Sequence, residues 1–89
     1  MSILETMIEI PSGHEQNVFG QFDTNVKKIE RTLHVSIIPR ADGIKIIGEP
    51  AQANRAKSVL KELTELSVRG NEIQEQNVNY ALALSMENK

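Results

Sequence analysis

The chain has 89 residues, of which 12 are acidic and 10 are basic, so its formal charge is −2. This length fits one small domain. The absence of cysteine excludes disulfides and thiolate metal sites, and the weak acidity argues against a strong, general nucleic-acid binder. The sequence shows neither an apolar run that would span a bilayer nor a secretory leader, so we expect a cytoplasmic protein with no membrane partner.

The first third of the chain predicts one strand and two helices. Residues 3–10 alternate loosely between apolar and polar and predict a strand that ends at Pro11. Residues 14–19 are long enough only for a short helix. Asp23 is expected to begin a second helix that runs to about Leu33, because its carboxylate can accept hydrogen bonds from the amides of the first turn.

The middle of the chain predicts a β-hairpin. Residues 35–39 and 44–47 are rich in isoleucine and valine, and Asp42 with Gly43 between them is a strong turn signal. A long helix follows, with Pro50 in its first turn and Gly70 at its end. Its predicted buried stripe is Ala53, Ala56, Val59, Leu60, Leu63 and Leu66.

The last segment predicts one more helix that ends near Met86. Asn71 and Gln74 are spaced like a capping box that would open it. The whole order is therefore β-α-α-β-β-α plus an extra C-terminal helix. Three strands with the helices on one face define an α+β two-layer domain.

The segment from Phe19 to Glu30 resembles the turn between the first two helices of the KH nucleic-acid-binding family. That family has the pattern Ile-Gly-x-x-Gly-x-x-Ile-x-x-Ile, whose glycines let the backbone approach a phosphodiester chain. Gly20 matches the first glycine, whereas Asp23 stands at the second. Residues 33–38, 41–48 and 53–60 then resemble the strand, hairpin and closing helix of the KH fold in the same order.

A second resemblance is to the amino-terminal region of bacterial PhoH-like proteins, of the phosphate-starvation-inducible type. In that family a Gly-x-Phe-Asp-x-Asn-hydrophobic-Lys-x-hydrophobic-Glu-Arg run is similar to the stretch from Gly20 to Arg31, and Asp is usual at position 23. Residues 71–82 also resemble the family's next helix. The resemblance implies a P-loop ATPase domain that binds ATP and magnesium and that is absent from this chain.

On this resemblance we expect residues 1–70 to form the KH-like domain. Residues 71–89 would form the extra helix and the polar end, leading towards the ATPase domain. The chain itself contains no Gly-x-x-x-x-Gly-Lys-Ser/Thr motif and no grouping of serine, histidine and acid that predicts a nucleophile. His14 and His34 have no spacing typical of a metal site. We therefore expect no enzymatic activity, cofactor or metal in this chain.

The charge pattern agrees with a weak nucleic-acid site. Between residues 20 and 47 there are five cations and three anions, whereas residues 1–19 contain three anions and no cation. Lys27 and Arg31 lie four apart and so share one face of the second helix, although a solvated helix face gives the same pattern. The candidate nucleic-acid-binding residues are Gly20, Gln21, Phe22, Asp23, Lys27, Lys28, Arg31, Arg40 and Lys45.

Two residues of the turn have alternative interpretations. Phe22 either stacks on a base or packs under the turn as core, and the scarcity of aromatic residues favours core. Asp23 is interpreted first as a helix cap; beside a phosphate its charge would cost on the order of 1 kcal/mol. Either role for Asp23 predicts weaker phosphate binding than in a standard KH domain.

Two functions follow as hypotheses. The first is a KH-like accessory domain of a PhoH-like ATP-binding protein, with weak or degenerate binding of single-stranded RNA through the turn and the basic helix. The second is a protein–protein module that docks on its own ATPase domain or on other subunits, with Phe22 or the last helix as the contact and no nucleic acid bound.

Overall fold

The computed structural model describes residues 2–87 and confirms the α+β, KH-like architecture with an extra C-terminal helix. A single 3₁₀ turn, Gln21–Asp23, separates the first two helices. The elements in chain order are β1 (Leu4–Ile8), α1 (Glu15–Phe19), α2 (Thr24–Leu33), β2 (Ser36–Arg40), β3 (Gly43–Gly48), α3 (Pro50–Val68) and α4 (Glu75–Glu87).

The three strands form one antiparallel sheet in the order β1-β3-β2. Arg40 pairs with Gly43, so the predicted hairpin closes through a two-residue loop at residues 41 and 42. Gly43 is the first residue of β3 and has a φ of +147°. In the register of the central strand, Ile46 lies between Thr6 of β1 and Ile37 of β2.

The core lies between one face of the sheet and the helices. Ile37, Ile44 and Ile46 are buried on that face because alternate residues of a strand point to the same side. The predicted stripe of α3 is confirmed except at its end, where Leu66 is only partly buried. Within residues 2–87 no helix packs against the other face of the sheet, which presents Glu5, Met7, Ser36, Ile38, Arg40, Lys45 and Ile47.

The predicted capping box at Asn71 is wrong. The last helix begins four residues later, and Gln74 precedes it, with its N–H donating to Asn77 Oδ1 at 2.8 Å. The intervening segment stays out of the helix and places Ile73 in the core at 9% exposure. Burying that isoleucine accounts for the later start.

The last helix packs on the same core as the rest of the domain. Val78, Ala81 and Leu82 are buried in one cluster with residues of the sheet, α2 and α3. The predicted boundary at residue 70 stays a prediction, and residues 88 and 89 of the expected polar end lie outside the described part. No helix within residues 2–87 has both the length and the apolar character needed to cross a membrane.

Candidate nucleic-acid interface

The turn between α1 and α2 requires glycine at position 20. Gly20 has φ and ψ of 82° and 166°, a backbone conformation essentially reserved for glycine. Its N–H donates to Gln16 O at 2.9 Å, and its carbonyl accepts from Asp23 N–H at 3.0 Å. The glycine therefore ends one helix and starts the turn that leads into the next.

Phe22 stands out from this turn into solvent. Its backbone is left-handed, with φ 58° and ψ 29°, and its side chain is 82% exposed. The interpretation of Phe22 as core is therefore wrong. The space against the turn is taken by Asn25, whose Nδ2 donates to Val18 O at 3.0 Å and would lie 2.8 Å from a Cβ at Gly20. A half-buried amide, and not the ring of Phe22, thus packs against the turn at Gly20.

Asp23 directly precedes α2, but its carboxylate does not cap the helix. The residue is left-handed, with φ 58° and ψ 29°, and no hydrogen bond joins its side chain to the first turn. Capping residues usually have an extended backbone, which aims the side chain back at the helix amides. The predicted capping role is therefore wrong, and the Asp23 carboxylate lies exposed on the surface.

Lys27 and Arg31 extend the turn along the exposed side of α2. They are four residues apart on α2, so their side chains lie on one face. Lys28 has a different environment, because its Nζ lies 3.3 Å from Glu75 Oε2 at the start of α4. Of the three predicted helical cations, the structure brings Lys27 and Arg31 together with the turn.

Glu30 lies on the side of α2 that faces β2, in a role that the sequence did not predict. Its Oε2 accepts a hydrogen bond from Ile37 N–H at 2.8 Å, and its backbone oxygen accepts one from Val35 N–H at 3.3 Å. The edge of β2 that faces α2 is thus occupied by a carboxylate at Ile37. One feature of the sequence could have indicated this role. Glu30 directly follows Ile29, which is buried, so the Glu30 side chain lies near the edge of the buried face of α2 and is only partly exposed.

Arg40 lies at a cavity that also reaches the turn. The cavity has a volume of about 540 Å³ and is lined by Phe19, the last residue of α1, and by the hairpin. Its other lining residues include Glu9, Glu15 and Asp42. Three carboxylates against one guanidinium disfavour a phosphate chain here, so an RNA path through the turn would have to follow α2.

Lys45 lies away from the rest of the predicted site. It projects from the uncovered face of the sheet, where its Nζ lies 3.0 Å from Glu5 Oε2. The structure therefore does not bring Lys45 together with the turn. The cluster that it does assemble, called the turn surface below, consists of Gly20, Gln21, Phe22, Asp23, Lys27 and Arg31.

A second polar cluster, which the sequence did not reveal, joins α1 to the α3–α4 connection. Asn17 Nδ2 lies 2.8 Å from Ser67 Oγ and 2.9 Å from Asn71 O, and Asn17 Oδ1 accepts from Ile73 N–H at 2.9 Å. His14 Nδ1 lies 2.7 Å from the same Ser67 hydroxyl. Across residues 2–87 no three histidine, aspartate or glutamate side chains are grouped as a metal site would need.

The fold and the turn surface define the class of the molecule as a KH-like α+β domain. No protein-family model matches the chain. A PhoH-like protein of Mycobacterium bovis is 26% identical over 81 residues, and one of Mycobacterium tuberculosis strain H37Rv gives the same values. A PhoH-like protein of Bacillus subtilis strain 168 is 32% identical over 73 residues.

These alignments cover most of this chain but little of the relatives. They include 91% of the chain for the mycobacterial proteins and 82% for the Bacillus protein, and 23% of the relative in each case. The chain thus spans about a quarter of the length of these relatives. The predicted relationship is confirmed: the chain corresponds to a small part of PhoH-like proteins, and these relatives are bacterial.

Proposed function

We propose that this accessory domain of a PhoH-like protein makes weak contact with single-stranded RNA through the turn surface. The observation that carries the proposal is the exposure of Phe22 together with that of two cations on the helix that follows it, Lys27 and Arg31. An exposed aromatic ring is a platform on which a base stacks. Lysine and arginine along one helix face suit the phosphates of a strand that continues from that base along α2.

The same surface explains why the contact is weak and tolerant of sequence. The exposed Asp23 carboxylate repels phosphate, partly screened by salt. Because the Ile37 N–H is already bonded to Glu30, the edge of β2 has no free amide at that point with which to read a base. Stacking and phosphate contacts then supply the binding, and neither discriminates strongly between bases.

For the whole protein we infer an ATP-binding P-loop domain that uses magnesium in the cytoplasm of a bacterium. This inference rests on the PhoH-like resemblance, and none of the 89 residues of this chain would carry that chemistry. The domain described here would then hold RNA near the neighbouring ATPase domain.

The RNA proposal is tested by fluorescence anisotropy with a labelled eight-nucleotide oligouridine. Two phosphate contacts predict that affinity falls about sevenfold between 50 and 200 mM salt. The double variant Lys27→Gln/Arg31→Gln should lose most of the binding. The matched control Lys45→Gln/Lys61→Gln changes the charge equally but leaves the turn surface intact, and should bind as the parent does.

Either of two results would refute the RNA proposal: an unchanged anisotropy of the oligouridine at low salt, or equal loss of binding in the two double variants. The second result would mean that binding follows net charge and not the turn surface. Circular dichroism of each variant verifies that the fold is retained.

Protein docking is the second candidate function, and the 82% exposure of Phe22 is the observation that favours it. An apolar ring on a rigid turn suits a pocket on the protein's own ATPase domain or on another subunit. Docking predicts that Phe22→Ser abolishes association with that domain while Lys27→Gln/Arg31→Gln preserves it. RNA binding predicts that both sets of variants lose affinity for the oligouridine.

A further inference from the structure

The two edges of the sheet differ in the backbone groups that they leave free. On β2 and at the residue before it, alternate positions face away from β3 with their backbone N–H side, and these are Val35, Ile37 and Pro39. The first two donate to Glu30, and the third has no N–H. Pairing with a further strand on this side is therefore blocked, as in natural proteins that protect an edge strand.

The edge formed by β1 carries no such protection. The backbone N–H of Ile37 points away from β3, so Ile37 and its partner Ile46 do not hydrogen-bond to each other. The N–H and C=O groups of Ile46 therefore point towards β1, where they pair with those of Thr6. Leu4 and Ile8 bond to β3 in the same way. The N–H and C=O groups of Glu5 and Met7 then point outward, and within residues 2–87 no side chain or loop hydrogen-bonds to them. The strand contains neither proline nor lysine.

We propose that two copies of this chain pair antiparallel along β1, with Thr6 opposite Thr6 of the second copy. Glu5 of each copy then lies opposite Met7 of the other, and the outward groups of these residues form about four backbone hydrogen bonds. The two three-stranded sheets join into one continuous sheet. Both helical layers lie on the same side of it, because the burial pattern of β1 is symmetric about Thr6.

Charge favours the register centred on Thr6 over the two adjacent registers, which are centred on Glu5 and on Met7. Pairing centred on Glu5 would oppose two Glu5 carboxylates, and pairing centred on Met7 would oppose Glu5 to Glu9 of the other copy. Like charges directly opposite each other destabilise a strand pair. The Thr6-centred register has no such opposition, and a threonine pair is favourable between neighbouring strands.

The interface is small, so the dimer is weak. Five-residue strands bury far less than the area of a standard interface, and we expect dissociation constants on the order of hundreds of micromolar. Lys57 Nζ lies 3.3 Å from Thr6 Oγ1 in each copy, which brings two ammonium groups towards the symmetry axis. Salt screens their repulsion and should strengthen the dimer, whereas it weakens RNA binding.

Sedimentation equilibrium over 20 µM to 2 mM, with two opposite substitutions at one position, tests the proposal. Met7→Lys places an ammonium opposite Glu5 of the second copy and should tighten the dimer about threefold, while Met7→Glu should weaken it about as much. The matched controls Ile38→Lys and Ile38→Glu lie on the same sheet face at the other edge and should leave association unchanged.

Three results would overturn the proposal. One is a parent chain that stays monomeric at 2 mM. Another is a pair of Met7 variants that behave like their Ile38 counterparts. The third is weakening by both Met7 variants, which would indicate a Met7-centred register. The Met7 variants leave the turn surface intact and the Lys27→Gln/Arg31→Gln variant leaves β1 intact, so each proposal stands or fails independently.

Discussion

The two ends of α1 differ in how completely their polar groups are satisfied. Near its start, Asn17 and His14 belong to a closed network with Ser67 that fixes the helix to the α3–α4 connection. After its end, Phe22 and Asp23 are left-handed and exposed, and the Asp23 side chain makes no capping hydrogen bond to α2. A few residues of chain thus separate a structural joint from a strained surface.

The difference indicates where stability and function reside. A satisfied polar network contributes to stability and specifies one arrangement of the helices. Non-glycine residues in the left-handed region cost on the order of 1 kcal/mol each, and the exposed Phe22 ring gains no burial that would offset this cost. The network should therefore respond to mutation by unfolding, and the turn surface by loss of binding.

Asn17→Ala is expected to have the largest effect. It removes three hydrogen bonds and leaves Ile73 N–H buried without an acceptor, so we expect a loss of about 2–3 kcal/mol in the free energy of unfolding. Urea denaturation measures it. The control Gln16→Ala, on the exposed side of the same helix, should change the free energy of unfolding by no more than about 0.5 kcal/mol. Equal losses in the two variants would show that the network does not stabilise the contact between α1 and the α3–α4 connection.

Glu30→Ala should cost about 1.5–2 kcal/mol, because Ile37 N–H loses a charged acceptor. Glu30→Gln keeps an oxygen within reach and should cost less. The same alanine variant frees an amide at the edge of β2, so oligouridine should bind more tightly to it. Unfolding costs that are the same for alanine and glutamine would contradict the role of the carboxylate.

Phe22→Asn should separate stability from binding at the turn. Asparagine tolerates the left-handed backbone better than phenylalanine, so unfolding should become harder by up to about 1 kcal/mol. The oligouridine contact should be lost with the ring. Tyr80→Asn, an exposed aromatic on α4, serves as the control and should leave RNA affinity unchanged. A less stable Phe22→Asn variant would mean that the ring packs on the domain.

Asp23→Gly should have the smallest effect on the free energy of unfolding, within about 0.5 kcal/mol. Glycine adopts a φ of 58° without steric strain, and this gain offsets the larger conformational entropy that glycine loses on folding. The repulsion between the Asp23 carboxylate and a phosphate costs on the order of 1 kcal/mol, so removing this carboxylate should tighten RNA binding about fivefold. Anisotropy titrations of the parent and the variant at 50 mM salt compare the two. Unchanged affinity would place the phosphates elsewhere.

The sequence predicted those features that depend on local spacing. The apolar repeat of α3 and the Asp42-Gly43 signal led to the correct helix and hairpin, because periodicity and turn chemistry act over a few residues. Asn71 was misinterpreted because the burial of Ile73 outweighed a local capping signal. The bonds from Asn17 to residues more than 50 positions away leave no trace in spacing.

The errors at the turn have a related cause. The low aromatic content of the chain favoured a buried Phe22, but the left-handed backbone and the side chain of Asn25 decide its exposure. The same backbone prevents Asp23 from capping α2. Neither the dihedral angles nor the packing of Asn25 is visible in a motif, so residue identity alone could not predict the geometry of the turn.

An NMR titration of the chain with eight-nucleotide oligouridine at low salt tests the RNA contact most directly. We predict amide shifts confined to residues 20–31, with the Phe22 ring protons among the most affected. The amides of residues 67–73 and of the uncovered sheet face should not move. The absence of shifts, or shifts centred on those two other regions, would contradict the account.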